Sequence, residues 1–136
     1  MEVDDRDMLS FLKKGIQNHL MSMVHIEKIE DREYCIALPY FMSDGDAVEL
    51  YVKQEQNKTY TISDAGDTLN VHICSWAAKL PNEIAEKDYQ DMERRLGDFS
   101  LNRAEGIIYK RDVEEQDLFK EVFRLTHVIV ELTEEI

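Results

Sequence analysis

The stretch Pro39-Tyr40-Phe41-Met42-Ser43-Asp44-Gly45-Asp46-Ala47-Val48-Glu49-Leu50-Tyr51-Val52 decides the fold. Its second half alternates Val48, Leu50 and Val52 with more polar neighbours, the period of a strand with one face toward a core. Its middle, Ser43-Asp44-Gly45-Asp46, is a turn signal. Its start closes another alternating run, in which Tyr34, Ile36, Leu38 and Tyr40 share a face. Pro39 lacks a backbone donor, so that strand ends there or lies on an edge. Upstream, Val24 and Ile26 alternate with Met23, His25 and Glu27, and Glu30-Asp31-Arg32 is a polar turn. Downstream, Gln54-Glu55-Gln56-Asn57-Lys58 reads as a hairpin loop, and Tyr60 and Ile62 return on a fourth strand. Connections this short imply an antiparallel meander of about four strands.

Helical spacing flanks the meander on both sides. Asp4 and Asp5 suit a helix start. Leu9, Leu12, Ile16 and Leu20, widened by Phe11, predict an amphipathic helix over about residues 5–20. After Ser63-Asp64-Ala65-Gly66-Asp67-Thr68, the spacing of Leu69, Ile73, Trp76 and Leu80 predicts a helix capped by Asp67 and stopped before Pro81. Ala85, Tyr89, Met92 and Leu96 mark a third helix, closed by Gly97. Residues 99–111 read as a small hairpin. Leu118, Val122, Leu125, Ile129 and Leu132 then mark a last helix, beginning near Asp112, with Phe119, Phe123 and Val130 broadening its face. A face that wide suits a helix laid across a sheet or shared with a second copy of the chain. The expected class is α+β, with the meander and hairpin packed by three to four helices in one domain, residues 1–136.

Charge narrows the function. The 136 residues carry 29 Asp and Glu against 16 Lys and Arg, a formal net charge of −13. Both halves share the excess: residues 1–70 hold 14 acids and 7 bases, and residues 71–136 hold 15 and 9. Direct binding to nucleic acid needs Lys/Arg clusters, and an anionic membrane would repel such a surface, so neither is expected. No apolar run approaches the roughly 18 residues that span a bilayer. The acidic N-terminus is unlike a signal peptide, and a cytoplasmic location is expected. Cys35 and Cys74 stand in apolar settings and read as reduced, buried thiols.

Chemistry-bearing residues are sparse. Asp44, Asp46, Asp64 and Asp67 form the one patterned set. If the two acidic turns meet at one sheet edge, their four carboxylates could hold a hard divalent cation. The plainer account is that Asp and Gly build turns and that Asp67 caps a helix. Glu49 and Lys53 share a strand face but stand about 13 Å apart, too far for one catalytic centre. His19, His25, His72 and His127 are scattered, and His72, one turn from Trp76, reads as packing. No catalytic residue and no cofactor are assigned. Tyr40 and Phe41, beside Asp44 and Asp46, form an aromatic and acidic rim suited to the arginines of a protein partner. That partner-binding set is Tyr40, Phe41, Asp44, Asp46, Asp64 and Asp67.

Two segments also resemble a known family. Residues 39–52, with Tyr60-Thr61-Ile62-Ser63-Asp64-Ala65-Gly66-Asp67-Thr68-Leu69, look like a prokaryotic and phage family catalogued as domain of unknown function eighteen-twenty-eight. Its pattern has a Pro-aromatic pair, a Ser/Asp-Gly-Asp turn, an alternating strand and a Ser/Thr-Asp-x-Gly-Asp/Glu-Thr-Leu element that opens a helix. The resemblance covers mainly residues 38–70. It implies a fold and no established activity, and its association with phage and mobile elements implies a role in host–parasite conflict. The leading expectation is therefore a non-enzymatic, acidic interaction protein. It would dock on a basic, nucleic-acid-binding surface of a defence enzyme as a mimic or inhibitor. The alternatives are a small metal-dependent hydrolase or nuclease using the Asp turns, and a regulatory or structural homodimer built on the last helix.

Overall fold

Six antiparallel strands form one sheet, in which the strands follow one another in chain order except that the last two are exchanged. The computed structural model describes residues 5–134, with the side chains of Asp5, Arg6 and Cys74 outside the description. The readings of Asp4 as a helix start and of Cys74 as a buried thiol therefore fall outside the described residues. In chain order the elements are α1 (Asp5–Ser22), β1 (His25–Glu30), β2 (Glu33–Phe41), β3 (Ala47–Gln54) and β4 (Tyr60–Ser63). A π-helical turn (Thr68–His72) and α2 (Cys74–Ala77) follow, then α3 (Glu86–Leu96), β5 (Ser100–Asn102), β6 (Ile107–Val113) and α4 (Leu118–Glu134). The meander is present, but the hairpin is not separate from it. β6 pairs with β4 through Ile62–Lys110 and Ser63–Tyr109, so four strands become six.

Strand β3 shows why the sheet has one covered face. Val48, Leu50 and Val52 are buried, whereas Glu49 and Lys53 between and beyond them are exposed. The covered face receives α4, whose Leu118, Val122, Leu125, Ile129 and Leu132 join Leu38, Leu50, Ile62 and Ile108 in one core. The wide apolar face of α4 is thus laid across the sheet, leaving Phe119 and Phe123 outside. The β-branched run Val128-Ile129-Val130 does not break the helix, because burial of Ile129 outweighs the small loss of propensity. Helix α3 buries Tyr89, Met92 and Leu96, and Tyr89 stacks edge-on against Trp76.

Two parts depart from the sequence reading. The helix expected over residues 69–80 is broken into a π-helical turn and a single α-turn, and Asp67 makes no side-chain cap. The last helix starts at Leu118, because Lys110 to Val113 extend strand β6. Helix α1 forms as expected, over Asp5–Ser22, but its apolar residues stay largely in water. Leu9, Phe11, Leu12 and Ile16 are 54%, 69%, 50% and 59% exposed. Strand β1 is exposed along its whole length, and Ile26 stands 62% exposed on the sheet's edge. No helix among the described residues is long and apolar enough to cross a membrane.

Candidate functional site

The two acidic turns lie at one end of the sheet. Strands β3 and β4 are antiparallel, with Tyr51 opposite Ser63, so the chain leaving β4 runs alongside the residues that enter β3. The β2–β3 turn is built locally. Met42 N donates to Asp46 O at 2.9 Å, Gly45 N to Met42 O at 2.9 Å, and Asp46 N to Asp44 Oδ1 at 3.0 Å. It is also held from a distance. Ser43 Oγ donates to Thr133 O at 2.5 Å, and Ser43 N to Thr133 Oγ1 at 3.3 Å, which ties the turn to the last turn of α4.

Asp64 and Asp67 have separate fates. Asp64 is 1% exposed, and both its oxygens are occupied. Gly66 N donates to Oδ1 at 2.8 Å, Ile108 N to the same oxygen at 2.9 Å, and Thr68 N to Oδ2 at 3.2 Å. This carboxylate therefore fastens three things at once: the turn after β4, the entry to the π-helical turn, and strand β6. Gly66 belongs to the same construction. Its φ of +87° is a left-handed conformation, and a Cβ there would lie 2.8 Å from Asn70 Nδ2, which donates to Glu105 O at 2.9 Å. Asp64 thus stands apart from any surface site. It is correspondingly removed from the sets of four carboxylates and of partner-binding residues in which the sequence placed it.

His72 takes its place. The π-helical turn carries one extra residue per turn, with Ile73 N donating to Thr68 O at 3.0 Å. That extra residue turns His72 away from Trp76 and toward the β2–β3 turn, where Nδ1 donates to the carboxylate of Asp44 and lies 3.7 Å from Asp46 Oδ2. One ligand atom each of Asp44, Asp46 and His72 falls within 4.8 Å of the others. The hydrogen bond from His72, helped by that from Asp46 N, holds the Asp44 carboxyl below its ordinary range. Asp67 shifts the other way. Burial raises it first, and the charges of Asp64 and Glu49 raise it further, against the pull of His72. Asp46, Glu49, Asp67 and His72 line a cavity of about 310 Å³ floored by Val48 and Ile129.

The aromatic half of the expected rim divides. Tyr40 turns inward, packing edge-on against Phe123 at 6.2 Å and beside His127 at 5.9 Å. Phe41 is 58% exposed beside the acidic turn. On the open sheet face, burial and then the charge of Glu49 raise the Cys35 thiol, and burial pushes Tyr51 up to about 12. Both stay protonated at neutral pH, so this pair offers no ready nucleophile.

Fold and site together define a class: an α+β protein with a one-faced antiparallel sheet and an acidic cluster at one sheet end. The chain belongs to the family described as "Domain of unknown function DUF1828", whose model matches residues 38–132. The match runs well past the two motif segments, through α4, and begins after α1 and β1. No curated protein and no solved structure matches the chain.

Proposed function

We propose that this protein is a non-enzymatic binding protein whose acidic sheet end docks on a basic, nucleic-acid-binding surface of a partner. In that role it serves as a nucleic-acid mimic or inhibitor in a conflict between a phage or mobile element and its host. One observation carries the reading. Asp44, Asp46, Glu49 and Asp67 crowd one end of the sheet, and among the described residues none is paired with a Lys or Arg. Several cations of the body are engaged elsewhere: Arg103 with Glu86 and Glu93, Lys110 with Glu121, and Arg124 with Asp98 and Glu121. Carboxylates left without a cation are the surface that a row of partner arginines would complement, with exposed Phe41 at its border.

The test is a salt titration of the complex captured from the native host. Affinity should fall steeply between low and high salt, and Asp46→Asn with Glu49→Gln should weaken it further. Binding that holds in high salt, or that ignores both substitutions, overturns the reading.

A second reading has its own support. Two carboxylates and an imidazole within 4.8 Å are a donor set for a divalent transition metal. A small metal-dependent hydrolase would then use Asp44, Asp46 and His72. It requires that Mn²⁺ or Zn²⁺ raise the melting temperature, and that His72→Ala abolish the rise. A melting curve unmoved by either ion removes it.

A further inference from the structure

We infer that α1 is the contact surface of a homodimer, in which the apolar face of one α1 packs against the α1–β1 arm of a second copy. The helix presents Leu9, Phe11, Leu12, Ile16 and Leu20 over about half its circumference, and all are 42–69% exposed. Ile26 continues the apolar surface onto the sheet edge, at 62% exposure. The same arm exposes Met8, Met21 and Ile29, at 41%, 65% and 46%. So many large apolar side chains in water on one arm exceed the scattered single residues that a monomer's surface normally carries. An 18-residue helix whose apolar stripe stands in water is also marginal, and a cover for that stripe would stabilise it.

Charge identifies the occupant. Residues 5–22 contain Arg6, Lys13 and Lys14 against Asp5 and Asp7, a net +1, whereas the whole chain is −13. With β1 included, residues 5–30 hold four bases and four acids, so the arm is neutral on an acidic protein and two copies can meet there without mutual repulsion. An anionic membrane lacks that fit, because it would meet the same acidic body. The bare edge of β1 is a poor alternative for strand-to-strand pairing. It carries Glu27, Lys28 and Glu30, and its register shifts between Lys28 and Glu30, both of which guard an edge against further strands. A two-fold pairing of helices buries the apolar face on both copies at once.

The 136-residue chain should sediment at twice its 16.0 kDa mass at micromolar concentration. Leu12→Glu with Ile16→Glu should sediment as a monomer with an unchanged sheet spectrum, because neither side chain enters the core. Amide exchange gives an independent readout: α1 should be protected in concentrated wild-type solution and exchange freely on dilution. The dimer, being apolar, should persist at the salt concentration that abolishes acidic docking, so either reading can fail alone. A monomeric wild type at high concentration, a dimer that survives the double substitution, or α1 protection that ignores dilution each overturns the inference. So does a wild type that stays monomeric yet binds anionic vesicles.

Discussion

Helices α1 and α4 have 18 and 17 residues, and both carry apolar side chains at steps of three and four. Helix α4 lies across the sheet and buries Leu125 and Ile129 to 0% and 1% exposure, while α1 leaves Leu12 and Ile16 half in water or more. The periodicity is equivalent, and the surroundings are not. A helix stripe states that an apolar face needs a cover. Whether the cover is the chain's own sheet or another molecule depends on which sheet face is still open when the chain has folded. Here α4 covers one face of the sheet with its apolar stripe, and α1 keeps its own stripe exposed.

Truncating each helix's stripe is the strongest way to break that comparison. Leu125→Ala should cost about 2–5 kcal/mol of unfolding free energy, the usual range for a cavity in a packed core. Leu12→Ala, measured at a dilution where copies are apart, should cost less than about 0.5 kcal/mol, as surface substitutions do. Urea denaturation compares them. Equal losses would mean that α1 has a seat within its own chain.

A second pair sharpens the contrast at the level of single carboxylates. Asp64 and Asp67 are three residues apart, yet one serves the backbone and the other the surface. Asp64→Ala strands three buried N–H groups and should cost about 3 kcal/mol, with Asp64→Asn recovering part of the loss by keeping one acceptor oxygen. The same denaturation experiment reads both, and a loss near zero would remove Asp64 from its fastening role.

The smallest effect has a definite sign in pH. Burial and neighbouring charge raise Asp67 in the folded state above its unfolded value. At neutral pH, ionising it therefore costs the fold some stability, and the cost is relieved as pH falls through the raised folded value. Asp67→Asn should stabilise by under about 1 kcal/mol at neutral pH after solvent screening, and the gain should vanish in acid. Asp44 behaves oppositely, because His72 depresses it: its contribution is present above the unfolded value and lost as pH falls through the folded one. Denaturation midpoints across pH for the two Asn variants would expose a wrong sign in either.

Much of the fold was readable because alternation and turns are local. Val48, Leu50 and Val52 announced a one-sided strand, and the helix stripes of α1, α3 and α4 formed where their spacing put them. The joining of β6 to β4 was not readable, since it rests on Ile108 N reaching Asp64, a contact between residues 44 positions apart. The candidate site was half legible. Asp44, Asp46 and Asp67 gather as the turn pattern allowed, but Asp64 turns inward. His72 was missed because a period of 3.6 aligns it with Trp76. Only the π-helical turn, invisible to that period, swings it to Asp44.

The tie between Ser43 and Thr133 has a temporal meaning as well. The acidic turn closes locally, but its anchor on α4 lies 90 residues further along the chain. During synthesis the meander can pair while the ribosome still holds the last helix, and the turn that carries Asp44 and Asp46 then has no brace. The turn acquires this anchor only when α4 docks. Before α4 has docked, the turn therefore displays the same acids without the brace from Thr133.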